Sequence, residues 1–335
     1  MNKLKENLSV NVDFPLISIA IPVYNTSKYL NKCINSAVAQ DYPNLEIVIL
    51  NNGSTDNSWD IIQTFARNDN RIKSYSIKHV CTVKESKDNC YKRIRGEWVI
   101  TLDSDDVISP TYVLDLWKSH KQSGADMVIS QRLSIDEEGN VYGYLPTDDF
   151  DYSLTYKGDE AMRRTIGRWE MSVNGALIHK DVLYNIMMCN PNCKIFTDEY
   201  DSRVLLNSAK LVAFCKTKYY YTINPNSVGR KNNWNRHKYR LNTRLGLLVL
   251  TAEEYSMNSK EFQTIVFQSL VISIVASFHF LRHNGQYSQM DVSEFKSIIN
   301  IIFDSSKISC MTMRNIINIP LKFVLRCIML FCRIR

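Results

Sequence analysis

The sequence predicts an α/β fold, with a mainly parallel β-sheet flanked by helices and a helical C-terminal region. Three observations carry this. Short β-rich runs alternate with helix-period segments over residues 16–133. Most of the runs are continuously apolar, as strands buried on both faces are. Several end in a polar cluster, "VYN", "NNGSTD" or "DSDD", at the strand ends where open α/β sheets bind ligands.

The elements follow in order. "LISIAIP" (16–22) is a first strand, and the helical pattern Tyr29–Ala39 puts Leu30, Cys33, Ile34, Ala37 and Val38 on one face. "LEIVIL" is a second strand, and Ile61, Ile62, Phe65 and Ala66 mark a second helix. "IKSYSI" is a third strand, Lys84–Arg95 a polar third helix and "EWVITL" a fourth strand. "SPTYVLDLWKSH" begins a helix, with Ser109 expected as N-cap and Pro110 at its first position. "ADMVISQRL" is a fifth strand. From about Val141 the alternation fades into loops and aromatic-rich pieces. "YYYTINPNSVGRKNNWNRHK" (219–238) reads as a strand entering a basic loop, and helices follow.

A chain of 335 residues, 45% hydrophobic and 22% charged, folds as one large core with appendages or as two domains. The net charge of +7 favours anionic partners. It is not concentrated in a polybasic tract, so no nucleic-acid partner is expected. Nine scattered Cys read as reduced thiols of a cytosolic protein, and Cys189 and Cys193 lack further ligands for a zinc site. The N-terminus carries no signal-peptide pattern. The apolar window 265–281 contains Gln268, three Ser and His279, which favours a buried helix over a membrane span. No feature fixes an oligomeric state.

"ITLDSDD" crowds Asp103, Asp105 and Asp106 together. Like charges about 4 Å apart repel by roughly 4 kcal/mol at an effective dielectric of 20. One capping acid would serve a helix start, so three point to a cation. Hard divalent ions take one or two carboxylates plus substrate phosphates. Asn51 and Asn52 end a strand at the same sheet edge, with amides able to bond a base or a ribose hydroxyl, while Asp56 or Ser58 could cap the next helix. In "FTDEYDSRVLL", Asp198, Glu199 and Asp201 suit a helix first turn, or a general base within reach of an acceptor hydroxyl.

"ISIAIPVYN", "EIVILNNGSTDNS", "RGEWVITLDSDD" and "FTDEYDSRVLL…YYYTINPNSV" resemble, in order, the blocks of family 2 glycosyltransferases, over roughly residues 15 to 230. The resemblance implies a GT-A fold, a nucleotide-sugar donor, a glycan or lipid-linked glycan acceptor, and inversion at the transferred sugar. By position, it places Pro22, Tyr24 and Asn25 along the nucleotide and Asp103, Ser104 and Asp105 in the D-x-D motif. Asp103 and Asp105 would hold Mg2+ or Mn2+ on the diphosphate, with Asp105 as the direct ligand. Lys87 falls where many members carry an Arg near the nucleotide, and Arg230 and Lys231 in a loop over the diphosphate. Asp198 matches the acid that deprotonates the acceptor. Asn51 and Asn52 stand where most members have two Asp, which leaves UDP, GDP and CDP donors open.

The expected division is a GT-A-like domain over 14–225 and a helical region over 226–335. Residues 320–335, "PLKFVLRCIMLFCRIR", set Lys322, Arg326 and Arg333 on one side of an apolar helix. That suits a helix docked on the core or one lying on a membrane surface. The family's habits imply bacterial surface-polysaccharide assembly at the inner face of the plasma membrane. A non-catalytic nucleotide-sugar-binding protein of the same fold is the alternative. No G-x-G-x-x-G follows the first strand and no G-K-S/T occurs, which excludes the familiar dinucleotide and P-loop sites.

Overall fold

The computed structural model describes residues 14–80, 82–167, 169–188, 197–224 and 234–282, with positions 293, 296–298 and 300. Its centre is β1 (Ile17–Val23), hydrogen-bonded in parallel to β2 (Leu45–Asn51) on one side and β4 (Trp98–Thr101) on the other. β3 (Ile72–Ser76) continues the parallel half beyond β2. The helices α1 (Ser27–Val38), α2 (Ser58–Asn68) and α3 (Val83–Tyr91) connect these strands.

The continuous apolar runs bury both faces, as expected. Ile17, Ile19 and Ile21 join Ile47 and Ile49 against α1, α2 and α4 (Tyr112–Ser123). Ala20, Val48 and Leu50 face the opposite layer. That layer consists of α3, α5 (Gly158–Arg163), α6 (Lys180–Met188) and α7 (Thr197–Ser208).

The second half of the sheet departs from a simple βαβ series. β6 (Met127–Ile135) does not neighbour β4, because the short β9 (Leu177–His179) lies antiparallel between them. β10 (Val212–Thr222) runs parallel to β6 with a register shift between Cys215 and Lys218. Three further pieces add to it: β5 (Val107–Ile108) and β8 (Thr155–Tyr156) on β10, and β7 (Val141–Leu145) on β6. The full path is β3-β2-β1-β4-β9-β6-β10-β5.

Two local expectations are corrected. α3 ends at Tyr91, short of Arg95. Ser109 is not the N-cap of α4. The helix starts at Tyr112, while the Ser109 hydroxyl pairs with Thr217 and its carbonyl accepts from Gln40. The Ser109 hydroxyl thus ties the loop to β10 rather than capping its own helix.

α8 (Trp234–Tyr255) and α9 (Lys260–Arg282) pack against one another and share a core with Tyr200 and Val204 of α7. Ile265, Val266, Leu270 and Ile272 are buried, whereas Phe267 and Val271 are exposed. Among the described residues no helix is long and apolar enough to cross a membrane. Residues 320–335, Cys189 and Cys193 lie outside the described residues.

Candidate active site

The loops leaving β1, β2 and β4 enclose a cavity of about 560 Å³. Pro22 lies near the end of β1 and lines it. Ala20 accepts a hydrogen bond from Leu102, so by strand alternation Pro22 faces the same way, past the point where β4 has ended. Its missing N–H therefore costs no ladder bond. Asn25 adopts φ +51°, a conformation Asn tolerates better than most residues. Its backbone N–H donates to Ser54 and its Oδ1 accepts from Thr55 N–H at 2.7 Å, joining the first two loops.

Asp56 strengthens that joint. One carboxylate oxygen accepts from Ser27 N–H at 2.9 Å and the other from Ser58 N–H at 3.0 Å, at the starts of α1 and α2. Burial works against its ionisation. The bonds from Ser58 and Ser27 outweigh burial and hold the carboxyl at about 2.

The three clustered acids meet different fates. Asp106 is fully buried and structural. Tyr219 donates its hydroxyl to Oδ2 at 2.7 Å and Thr222 its N–H to Oδ1 at 2.8 Å. Asp105 accepts from the Asn224 amide at 3.1 Å, and Asp103 lies 3.5 Å from Lys87. Both Asp103 and Asp105 line the cavity. Ser104 also lines it and accepts from the Thr26 hydroxyl, linking this loop to the one after β1.

Lys87 projects from α3 between the acid cluster and α7. Its Nζ is 3.1 Å from Asp198, in the first turn of α7, besides 3.5 Å from Asp103. Burial alone would lower its pKa, but Asp103 and Asp198 outweigh that and keep the ammonium charged. Burial raises Asp103, opposed by Lys87 and reinforced by repulsion from Asp198 and Asp105. The sequence-predicted acids and Lys87 thus converge across 111 positions of chain, from Lys87 to Asp198.

Asn52 lines the cavity and Asn51 does not. Asn51 turns to its own loop, accepting from Ser54 N–H and donating to the Ser76 hydroxyl. Asn52 grips one backbone unit with both ends of its amide, accepting from Val80 N–H and donating to Val80 C=O. His79 donates from Nδ1 to the Asn52 carbonyl and stacks on the half-exposed Tyr24, with ring centroids 4.2 Å apart. Gly53, at φ +67°, permits that approach, because a Cβ would lie 2.7 Å from His79 N. Sequence reading missed His79 and Asn224, whose only signal was a position just after a strand. Arg230 and Lys231 lie outside the described residues.

The donor set suits a hard divalent cation. Asp103 and Asp105 offer carboxylate oxygens on one wall, while Asp106 is taken by Tyr219 and Thr222. No third His, Cys, Asp or Glu completes a protein-only cage among the described residues. Two carboxylates with substrate oxygens completing the shell is the usual arrangement for Mg2+.

The strand order, with helices packed on both faces of the sheet, is that of the GT-A fold. Residues 18–204 match the family described as glycosyl transferase family 2, and the chain belongs to it, an inverting glycosyltransferase. It is 30% identical over 223 residues to glycosyltransferase GlyG of Streptococcus pneumoniae, covering 64% of this chain and 73% of that one. It is 36% identical over 128 residues to the Escherichia coli chondroitin synthase, covering 38% of this chain and 18% of the synthase. The fold is similar to S. aureus TarS 1–349 solved with UDP-GlcNAc. The TM-score is 0.58 at 15% identity, covering 86% of this chain and 81% of that one.

Proposed function

We propose that this enzyme transfers one sugar from a nucleoside-diphosphate sugar to a hydroxyl of a glycan or lipid-linked glycan. One observation carries the reading: Lys87 joins Asp103 and Asp198, so the diphosphate-side acids and the base share one cavity. Pro22, Tyr24, Asn25 and Ser104 line the nucleotide, and Asn52 faces its base. Asp103 and Asp105 would hold Mg2+ or Mn2+, which when bound offsets charge on the departing diphosphate. Asp198 takes the acceptor proton as the hydroxyl attacks the anomeric carbon on the face opposite the leaving group. Lys87 orients Asp198 toward that hydroxyl. Arg230 and Lys231 would close over the diphosphate.

The likeness to a chondroitin synthase supports a setting in bacterial polysaccharide synthesis; the proposed place is the inner membrane face, with residues 320–335 as the membrane-surface contact. In this reading the transferase domain spans 14–225 and the helical region 226–335, whose α8 and α9 share a core with α7. TarS bound to UDP-GlcNAc supports a nucleotide-sugar donor. The test is transfer and thermal stabilisation with UDP-, GDP- and CDP-sugars, with and without Mn2+. Asp198→Asn should keep donor binding and lose about 10²–10⁴ in rate. Asp105→Ala should lose metal-dependent donor binding. Near-full transfer by either variant would overturn these roles.

A further inference from the structure

Behind Lys87, Asp103 and Asp198, which also line the large cavity, a chamber of about 50 Å³ opens. Asp201 lines it, three residues after Asp198 and so on the same side of α7. Its Oδ1 is fully enclosed and has no hydrogen-bond partner among the described residues. The neighbouring cations are engaged elsewhere. Lys84 binds Asp88 and the Ile186 carbonyl, and Lys87 binds Asp198. Tyr91 and Thr101 satisfy one another at 2.9 Å. Ile178, Leu183 and Leu205 give the remaining wall an apolar part, and Asn174 and Ser202 a polar one.

An enclosed carboxyl oxygen without a partner is rare in folded proteins, and it asks what completes it. The volume admits a water or two, or a short substituent arm, and not a pyranose ring.

We propose that Asp201 is a specificity-determining residue: its carboxyl hydrogen-bonds a hydroxyl on a short arm of the transferred sugar, which enters this chamber beyond Asp198. The inference rests on the proposed function, since it assigns the sugar of the nucleotide-sugar donor. Charge is consistent with it. Burial drives the Asp201 carboxyl up to about 7, against Lys84 and Lys87 and with repulsion from Asp198 and Asp88. A carboxyl near neutrality can accept from a hydroxyl and also donate to it.

The experiment is thermal stabilisation of the full chain, with Mn2+, by UDP, GDP and CDP beside UDP-glucose, UDP-galactose, UDP-GlcNAc and GDP-mannose. In the wild type, one sugar nucleotide should stabilise more than its bare nucleoside diphosphate. Asp201→Ala should keep the nucleoside-diphosphate shift and weaken the sugar's added affinity by about tenfold or more. Asp201→Asn should restore part of it, since its amide still accepts and donates. The ligand-free melting temperature of Asp201→Asn should match or exceed that of the wild type. An intact sugar increment in Asp201→Ala would overturn the assignment. So would a wild type that gains nothing from any sugar, or a ligand-free loss of several degrees in Asp201→Asn. No shift with any nucleotide would remove the donor-site reading itself, and this one with it.

Discussion

Asn51 and Asn52 are adjacent and buried, yet aspartate should act differently at each. In Asn52→Asp, an oxygen replaces the amide nitrogen 3.1 Å from the Val80 carbonyl. A lost bond and two acceptors facing one another cost about 1–3 kcal/mol in a buried site. The new charge also loses water, while the bond from Val80 N–H, at 2.8 Å, strengthens by about 1 kcal/mol. The net expectation is a loss of about 2 kcal/mol. In Asn51→Asp, Ser54 N–H keeps its acceptor, and the exposed Ser76 hydroxyl can rotate to donate. That loss should stay within about 1 kcal/mol.

The pH dependence follows from the sign. Burial and the Val80 carbonyl disfavour a charged carboxylate in the Asn52→Asp variant, so its folded pKa lies above the unfolded value of about 3.9. The penalty is absent where the acid is protonated in both states, and it grows as pH rises from there to the folded pKa. Urea unfolding at pH 7 and pH 4 tests this. Asn52→Asp should trail the wild type at pH 7 by about 2 kcal/mol and less at pH 4. Equal losses from the two variants, or a gap that widens at pH 4, would refute the reasoning.

Asp56→Asn should cost about 1–2 kcal/mol at pH 7, because the native carboxyl is held at about 2. That stability is present above the unfolded carboxylate range and lost as pH falls towards 2, so denaturant curves of variant and wild type should converge there. Lys87→Met should leave Asp103 and Asp198 without their shared cation and lower transfer by about 10²–10³, with Lys87→Arg largely active. Steady-state kinetics across a Mn2+ titration checks this. Arg244→Met breaks a buried bond to Glu199, the neighbour of Asp198, and a second bond to Gln268. It should cost about 2–4 kcal/mol in urea unfolding and lower kcat more than it raises donor KM.

The half of the fold around β1 was legible because its signals are local. Strands buried on both faces are written as unbroken apolar runs, and each is followed by a loop whose polarity marks the sheet edge. The other half was not legible, because its strands are defined by partners. β9 has three residues and β5 two, too short for any period, and each exists through bonds to strands distant in sequence. Ser109 looked like a cap because a Pro followed it, but β10 claims its hydroxyl from over a hundred positions away. The same holds within the site. Asp103 and Asp105 were singled out by spacing and resemblance and Asp198 by resemblance, and all three line the cavity, whereas Asp201 gains its interest only from the chamber it faces.

The crowding in "DSDD" is resolved by dividing the acids among different partners. Asp106 is matched by two donors beneath the loop, so it anchors β10 and stays out of the cavity. Asp105 leans on a neutral amide, which orients it without cancelling its charge. Asp103 alone has a fixed cation, and that cation is shared with Asp198. Lys87 is therefore one charge divided between Asp103 and Asp198. At these separations the attractions to Asp103 and Asp198 are of similar size, since each scales inversely with distance. Any change of charge at Asp103 alters how firmly Lys87 holds Asp198. Asp198 is coupled electrostatically to the charge state of Asp103 with no backbone movement required.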